Sequence, residues 1–332
     1  MKRLAIVGGG SWGTALSIVL APRFSEVRLW VYEQDLAARM SGSRDNDVYL
    51  PGFPVPSNVT VVTDFAAALD GVGIVLGVMP SHRARAVYGQ MLPFLDESML
   101  LVSATKGLET GSLLRISEVM GQVVGSRFTP KVAVLSGPTF AKEVASGEPT
   151  ALVVASADSD SAAKVQHAFS GANFRLYTNP DPIGVEIGGA VKNVVAIGAG
   201  VCHGLGFGSN ALAALITRGL AEITRLALAM GGEGRTLSGL AGLGDLLLTC
   251  TGALSRNRTV GLKLAAGKSL GEIVGSMRMV AEGIETTKAT VDLARRHGVE
   301  MPIAEQMYAM LYQERAPREA IRQLMERSLK GE

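Results

Sequence analysis

The chain reads LAIVGGGSWG from Leu4 to Gly13, where a short apolar run gives way to a cluster of glycines. The apolar residues predict a buried strand and the residues after the cluster predict a helix, so the glycines lie at a strand-to-helix turn. In that setting the spacing Gly-x-Gly-x-x-Gly over Gly8, Gly10 and Gly13 is typical of a dinucleotide-binding turn. It predicts that the chain opens with the first unit of a doubly wound α/β sheet.

Each glycine of this turn has a separate physical task. Gly8 allows the tight turn, Gly10 lets the backbone approach a pyrophosphate, and Gly13 lets the helix pack closely on the strand. The start of the helix then supplies N–H groups and a partial positive charge to the phosphates. A glycine turn without a ligand is the alternative, and the coincidence of strand, glycines and helix favours the cofactor.

An acidic residue follows at the distance expected for a ribose contact. Glu33 lies twenty positions after Gly13, at the end of the second predicted strand. An acid there binds a ribose 2′-OH and favours NAD, while Arg28 and Arg39 nearby leave NADP open. A solvated charge at a strand end is the alternative for Glu33.

Outward from the turn, apolar runs and amphipathic segments alternate as far as about Gly184. Strands are predicted over residues 4–8, 27–32, 59–63, 73–78, 99–104, 132–135, 150–155 and 174–177, and helices over 12–22, 36–44, 65–69 and 80–95. This alternation predicts a parallel sheet covered on both faces. Beyond it only helical periods remain, such as 212–230, 255–266 and 282–297. We therefore expect a Rossmann-type dinucleotide-binding domain over residues 1–187 and an all-α substrate-binding and catalytic domain over 188–332.

Composition excludes several classes of protein. Of the 332 residues 47% are hydrophobic and 19% charged, which excludes extended disorder. With 32 basic and 30 acidic residues and no basic tract, nucleic acid is not an expected partner. Cys202 and Cys250 are the only cysteines, which favours a reducing cytoplasm. The four histidines are scattered, so we expect no metal site.

Two apolar stretches resemble membrane signals. Glycines interrupt the N-terminal run, which argues against a signal peptide. Residues 193–217 are uncharged but rich in glycine, so we expect a buried helix followed by a glycine-rich loop rather than a membrane span.

Isolated charges in apolar surroundings are the candidates for chemistry. Lys192 lies in GGAVKNVVAIGAG (188–200) and Asp245 in AGLGDLLLT (241–249). A buried ammonium group needs a carboxylate partner or a depressed pKa, so the two residues form either a structural pair or a polarised active site. Lys106 follows a predicted strand and points towards the ligand crevice unless it is an ordinary surface lysine.

Two polar turns complete the set of candidates. The turn SGPTFAKE (136–143) presents N–H groups to a ligand or merely caps a helix. The segment SRNR (255–258) opens a helix, where arginine and backbone N–H groups together suit a phosphate or carboxylate; an ordinary solvated cap is the alternative.

Taken together, these stretches resemble the bacterial NAD(P)-dependent glycerol-3-phosphate dehydrogenases over essentially the whole chain. The matching segments are GGGSWGTAL, MPSH (79–82), ATKGLE (104–109), LSGPTFAKEVASGEPTA, GGAVKNVVAIGAG, ALITRGLAE, GLAGLGDLLLTC, SRNR and VAEGIETT. The resemblance implies reversible reduction of dihydroxyacetone phosphate to sn-glycerol 3-phosphate with NADH or NADPH, supplying phospholipid synthesis. We also expect a homodimer formed through the apolar helical domain.

The resemblance also implies roles for particular residues. Lys192 is implied as proton donor and acceptor, with Lys106 and Asp245 as the other catalytic residues. Contacts to the cofactor are implied for Gly8, Gly10, Ser11, Trp12, Gly13, Tyr32, Glu33, Lys106, Ala141, Arg256, Val280 and Glu282. Contacts to the substrate are implied for Lys106, Gly137, Thr139, Lys192, Asn193, Asp245, Ser255, Arg256 and Asn257.

Two positions depart from the pattern of the family. Tyr32 stands where many relatives carry a basic or imidazole side chain, which argues against a strong NADPH preference; Tyr49 is a lesser candidate in the same region. Met79 replaces a commoner valine and is expected to change only packing.

Two other functions remain open for the chain. One is another two-domain dehydrogenase, such as a hydroxyacid dehydrogenase or a ketopantoate-type reductase, and the other is a cofactor-binding sensor without turnover.

Overall fold

A computed structural model describes residues 3–277, 281–329 and 331 of the chain. Its first part is built on one eight-stranded sheet with the spatial order β3-β2-β1-β4-β5-β6-β7-β8. The strands are β1 (Arg3–Val7), β2 (Glu26–Trp30), β3 (Val59–Val62), β4 (Ile74–Gly77), β5 (Leu100–Ser103), β6 (Lys131–Ser136), β7 (Thr150–Ala155) and β8 (Phe174–Asn179). The reversal of strand order beside β1 is the hallmark of the predicted doubly wound fold.

Helices cover both faces of this sheet. They are α1 (Ser11–Leu20), α2 (Gln34–Ser43), α3 (Phe65–Leu69), α4 (Ala84–Met91), α5 (Ile116–Val124), α6 (Ala141–Ala145) and α7 (Ser159–Phe169). Alternate residues of β1 enter opposite cores: Leu4 and Ile6 pack on one face, and Ala5 and Val7 on the other. This two-sided burial is why the strands are almost continuously apolar.

The sheet is parallel as predicted except at one pair of strands. β6 and β7 run antiparallel, while every other described pair is parallel. The segment 137–149 between them stays at the carboxyl edge of the sheet, where α6 packs against α1, so β7 starts at that edge and runs back. The predicted helix over 80–95 is also wrong in extent, because 3₁₀ turns at Ser81–Arg83 and Leu92–Phe94 flank α4.

The second part is helical. It comprises α8 (Pro182–Gly204), α9 (Ser209–Ala229), α10 (Gly234–Leu237), α11 (Asp245–Thr251), α12 (Arg256–Ala265), α13 (Leu270–Gly275), α14 (Glu282–His297), α15 (Pro302–Tyr312) and α16 (Pro317–Met325), with one π-helical turn over Leu240–Gly244. α8 begins where Asp181 accepts a hydrogen bond from the Gly184 N–H (2.8 Å) and Pro182 occupies the first helical position. It runs through the centre of the helical core.

Glycines let other helices approach the backbone of α8 directly. A Cβ at Gly200 would lie 2.0 Å from the Arg258 carbonyl oxygen of α12, and one at Gly261 would lie 1.9 Å from the Ile197 carbonyl oxygen. Only hydrogen fits at either position, so α8 and α12 pack at backbone distance. This contact fixes the segment 255–258 relative to the middle of α8.

The apolar stretch 193–217 spans two helices rather than one. α8 ends at Gly204 and α9 begins at Ser209, so the expected glycine-rich loop is confined to residues 205–208. Among the described residues α8 alone is long and apolar enough to cross a membrane, and 94% of its most apolar window is buried inside the protein. A mostly buried helix of this kind is what the core of a folded domain requires.

A buried ion pair joins the sheet to the start of α8. Arg115, just before α5, donates to Glu186 Oε2 (2.7 Å), and the backbone N–H of Ser117 donates to Oε1 (2.8 Å). Burial raises the pKa of Glu186, and the Arg115 charge opposes that rise. The division of the chain after residue 187 stays a prediction; it falls inside α8, six residues past the start of the helix.

Candidate active site

The glycine turn between β1 and α1 has the shape that its sequence requires. Gly8 has φ +129°, and a Cβ there would lie 2.2 Å from the Val78 carbonyl oxygen. A Cβ at Gly13 would lie 1.8 Å from the Gly8 carbonyl oxygen, so the helix is pressed onto the turn. A Cβ at Gly10 would meet no atom within 4 Å. The space in front of α1 is therefore open at the residue expected beside a pyrophosphate.

The start of α1 offers further polar groups to a ligand. Gly10 is its N-cap and makes no side-chain cap. The indole Nε1 of Trp12, in the first turn of the helix, is buried without a hydrogen-bond partner in the described part of the chain. Uncapped N–H groups at a helix start attract anions. The turn thus fits a dinucleotide on its own geometry.

Glu33 lies at the carboxyl end of β2, immediately before α2. Tyr49 donates a hydrogen bond to Glu33 Oε1 (2.7 Å), and this bond, with burial, raises the pKa of Tyr49 to about 12. The neighbouring Tyr32 is 77% exposed. The carboxylate is therefore held in a fixed orientation beside a solvent-facing aromatic ring.

The two arginines that left NADP open are both engaged elsewhere. Arg28 donates to the carbonyl oxygens of Ala67 (2.7 Å) and Asp70 (2.8 Å). Arg39 pairs with Asp35 and Asp47 at 3.0 and 3.1 Å. Both guanidinium groups therefore contact oxygen atoms of the protein itself in this structure.

A single carboxylate bridges two lysines at the junction of the sheet and the helices. Lys192, on α8, contacts Asp245 Oδ1 at 2.5 Å, and Lys106, beyond β5, contacts Oδ2 at 2.7 Å. Lys192 is 5% exposed and Asp245 1% exposed. Burial lowers the pKa of Lys192 to about 8, while the attraction of Asp245 opposes that fall and the charge of Lys106 adds to it. The ammonium group of Lys192 is thus poised to release its proton near neutral pH.

Lys106 is anchored on its other side by the turn after β6. Its Nζ donates to the Gly137 carbonyl oxygen (2.8 Å) and to Thr139 Oγ1 (3.2 Å). Gly137 has φ +146°, a conformation that glycine adopts without strain, and Ala141 begins α6. The turn therefore faces the lysine, and it connects Lys106 to the start of a helix.

A threonine that the sequence analysis did not single out completes the surroundings of Lys192. Thr249 Oγ1 accepts from Lys192 Nζ (2.8 Å) and donates to the Asp245 carbonyl oxygen (2.6 Å). It lies one helical turn after Asp245 on α11, so the same helix face carries both. That four-residue spacing was the available signal.

Amide side chains connect α8, α12 and α14 beside the lysines. Asn257 donates to Asn193 Oδ1 (2.8 Å) and accepts from the Gly283 N–H (2.9 Å). Ser255 caps α12 by accepting from the Arg258 N–H (3.2 Å). The two asparagines are buried, so each orientation is set by these partners.

Arg256 stands at the first position of α12 with an exposed side chain. No carboxylate lies within 4 Å of its guanidinium among residues 3–277, 281–329 and 331. The charge of Glu282 acts on it from the start of α14, where Glu282 accepts a hydrogen bond from Ser81 (2.9 Å). Val280, expected at the cofactor, lies outside the described residues.

The structure thus gathers the predicted residues into two neighbouring groups. The turn after β1 and the end of β2 form one group, and the Lys106–Asp245–Lys192 bridge with the start of α12 forms the other. Within the described residues no group of three or more His, Cys, Asp or Glu could hold a metal ion. The second group can transfer a proton through Lys192 next to the positive charge of Lys106.

Comparisons with known proteins show which family the chain resembles. Residues 3–162 match the family described as NAD-dependent glycerol-3-phosphate dehydrogenase N-terminus, and residues 181–322 match its C-terminus. The chain is 57% identical to the NAD(P)+-dependent glycerol-3-phosphate dehydrogenase of Koribacter versatilis (strain Ellin345), and the match covers 98% of this chain and 98% of the relative. It is 50% identical to the enzyme of the same name from Citrifermentans bemidjiense, covering 100% of this chain and 99% of the relative. The crystal structure of glycerol-3-phosphate dehydrogenase from Coxiella burnetii superposes with a TM-score of 0.94 at 42% identity, covering 98% of this chain and 99% of the other.

Proposed function

The chain belongs to the NAD-dependent glycerol-3-phosphate dehydrogenase family, and on that premise we propose that Lys192 is its proton donor and acceptor. It is an NAD(P)-dependent oxidoreductase that interconverts dihydroxyacetone phosphate and sn-glycerol 3-phosphate. The observation that carries the proposal is a buried lysine whose pKa burial lowers to about 8, in contact with Asp245. Such a lysine is mostly protonated at neutral pH but releases its proton far more readily than an ordinary lysine, which suits a group that must give and take a proton.

The dinucleotide is proposed to bind at the open glycine turn between β1 and α1. Gly8, Gly10 and Gly13 with the start of α1 would hold the pyrophosphate, and Glu33 would hold a ribose hydroxyl. Further contacts are proposed for Ser11, Trp12, Tyr32, Lys106, Ala141, Arg256, Val280 and Glu282. When bound, the nicotinamide ring supplies or accepts the hydride at the substrate C2 carbon.

Lys192 acts on the oxygen bound to that carbon. In ketone reduction, negative charge develops on the oxygen and the ammonium group donates its proton; in alcohol oxidation, the neutral amine removes the hydroxyl proton. Asp245 and Thr249 fix the direction of Lys192 Nζ through contacts of 2.5 and 2.8 Å. Lys106, held by the same carboxylate, adds positive charge near the developing oxyanion.

The phosphate of the substrate belongs at the start of α12. Arg256, with no carboxylate partner within 4 Å among the described residues, provides a bidentate donor, and N–H groups of the helix start add to it. Ser255, Asn257 and Asn193 are proposed substrate contacts on the helical part. Gly137 and Thr139, which accept hydrogen bonds from Lys106, are proposed substrate contacts on the sheet part. Binding energy from the phosphate then positions the reacting carbon beside Lys192.

Residues 1–187 are proposed as the cofactor domain and 188–332 as the substrate domain. We further propose that the enzyme works in the cytoplasm, supplies glycerophospholipid synthesis, and forms a homodimer through its helical part. Exposed apolar side chains on that part, Leu228, Leu247 and Leu254 among them, support the last proposal. Light scattering after size-exclusion chromatography tests it, and a monomer at micromolar concentration would contradict it.

One experiment tests the central proposal. Oxidation of NADH and of NADPH is followed at 340 nm with dihydroxyacetone phosphate, and with dihydroxyacetone as the substrate that lacks phosphate. We expect turnover that requires the phosphate, and a fall in kcat of at least about a hundredfold in Lys192→Ala. Lys164→Ala, an exposed lysine of α7, is the matched control and should retain wild-type rates. Near-normal turnover with unchanged KM in Lys192→Ala would exclude the role of Lys192, and turnover of a 2-keto acid alone would exclude the substrate.

A further inference from the structure

A second polar contact crosses from the sheet to the helices, apart from the lysine bridge. Ser81 lies in the 3₁₀ turn Ser81–Arg83 that follows β4, and only 2% of it is exposed. Its hydroxyl donates to Oε2 of Glu282, the first residue of α14, at 2.9 Å. Glu282 is a residue expected at the cofactor, whereas Ser81 carries no predicted role.

The backbone beside Lys106 is packed against this contact. Gly107 has φ +156°, and a Cβ there would lie 2.7 Å from Ser81 Oγ and 3.3 Å from Glu282 Oε2. Only hydrogen fits at that point, so the hydroxyl, the carboxylate and the chain after β5 are in direct contact. The Ser81–Glu282 bond therefore lies at the same edge of the sheet as Lys106.

Charge explains why the carboxylate needs a donor there. Burial raises the pKa of Glu282, and Glu285 in the same helical turn adds to that rise. The Ser81 hydroxyl and backbone N–H lower it again, as does the charge of Arg256 on α12. Ser81 thus holds this carboxylate through direct hydrogen bonding, while the charge of Arg256 acts on it from α12.

We propose that Ser81 is a positioning residue for the cofactor site: its hydroxyl fixes the orientation of the Glu282 carboxylate beside the chain that follows β5. This rests on the proposed function, because it takes Glu282 to serve the dinucleotide. Ser81 acts through Glu282 and takes no part in proton transfer. Its loss should therefore weaken cofactor binding and leave kcat at saturating cofactor within twofold of wild type.

The test measures the Kd of NADH and NADPH by quenching of tryptophan fluorescence in four full-length proteins: wild type, Ser81→Ala, Glu282→Gln and the double variant. A lost hydrogen bond to a charged group predicts a Kd about fivefold to tenfold higher in Ser81→Ala. If Ser81 acts only through Glu282, the double variant binds no more weakly than Glu282→Gln alone. The affinity for NADH, measured as a function of pH, should also begin to fall at a higher pH in Ser81→Ala. The reason is that the pKa of Glu282 rises when its hydrogen-bond donor is removed.

Ser156→Ala is the matched control. Ser156 is 3% exposed and donates one hydrogen bond to the Val132 carbonyl oxygen (2.7 Å), at the opposite edge of the sheet. It should lose similar stability in thermal melts and keep wild-type affinity. If Ser81→Ala does not fold, Ser81→Cys, whose slightly larger thiol is a weaker hydrogen-bond donor, takes its place.

The outcomes separate the two proposals. An unchanged Kd in the Ser81 variant, or weakening that adds fully to that of Glu282→Gln, overturns the positioning role while wild-type turnover stands. Wild-type protein that neither binds NADH or NADPH nor oxidises either with dihydroxyacetone phosphate overturns the proposed function itself.

Discussion

Lys192→Met removes a buried ammonium group that lowers the stability of the folded protein at neutral pH. The Lys192 side chain is 6% exposed, and burial lowers its pKa from 10.5 to about 8 even with Asp245 in contact. Methionine has a similar unbranched stem and no charge, so it fills the same space. The variant separates the cost of the buried charge from the packing around α8.

The size and sign of the effect follow from proton linkage. Between pH 8 and 10.5 the unfolded chain keeps the lysine proton while the folded protein has released it. The unfolded state then binds more protons, so the free energy of unfolding of the wild type rises with pH across that window. At about 1.36 kcal/mol per pKa unit, the fall from 10.5 to about 8 amounts to roughly 3 kcal/mol. That penalty is fully present below pH 8.

Urea unfolding at pH 7, 8, 9 and 10 provides the assay. Other lysines and tyrosines titrate in both proteins, so the difference between wild type and Lys192→Met reports on Lys192 together with its coupled partners Asp245 and Lys106. We expect that difference to move in favour of the wild type by about 2 to 3 kcal/mol between pH 7 and 10. Lys164→Met, on the exposed face of α7, should give a difference that does not change with pH. Parallel stability profiles for wild type and Lys192→Met would refute the depressed pKa.

Three further results are expected. Gly10→Ala should leave the Tm of the free protein unchanged, because its Cβ would meet no atom within 4 Å, but it should weaken NADH binding. Gly13→Ala should lower the Tm by more than about 5 °C, because its Cβ would lie 1.8 Å from a carbonyl oxygen. Thermal melts with and without NADH decide both, and the reverse order of effects would contradict the geometry. Tyr49→Phe frees the Glu33 carboxylate, so the ratio of kcat/KM for NADH over NADPH should fall about threefold to tenfold in steady-state assays; an unchanged ratio would separate Glu33 from cofactor choice. Burial raises the pKa of Glu222 from 4.5 to about 7, so the wild type should lose stability as pH rises through that window, and Glu222→Gln should show no such loss in urea unfolding at pH 5 and 7.5.

The doubly wound sheet could be predicted because its strands are short apolar runs ending in glycine or polar residues. The first helix and third strand begin within one residue of their predicted starts. The direction of β7 could not be predicted, since an apolar run has the same pattern whichever way it is paired. α5 was not assigned, and its start lacks the usual signal: Arg115 precedes it, and Glu118 accepts from the Arg115 N–H (2.9 Å).

The candidate site was predictable where a charge interrupts an apolar run. Lys192 and Asp245 each stand alone in such a run, and the structure brings them into contact. That Lys106 shares the same carboxylate depends on the fold of the whole domain junction, which no local pattern encodes. Thr249 and Ser81 went unassigned because hydroxyls occur throughout the sequence and only their partners distinguish them.

The glycine contact between α8 and α12 has a mechanical consequence. With Gly200 and Gly261 each pressed against a carbonyl oxygen of the other helix, the two helices cannot slide or rotate past one another without collision. The backbones that carry Lys192 on α8 and Arg256 on α12 are therefore held at a fixed spacing, and the two helices form one rigid unit. We therefore expect an opening that admits the substrate to separate these two helices together from the sheet.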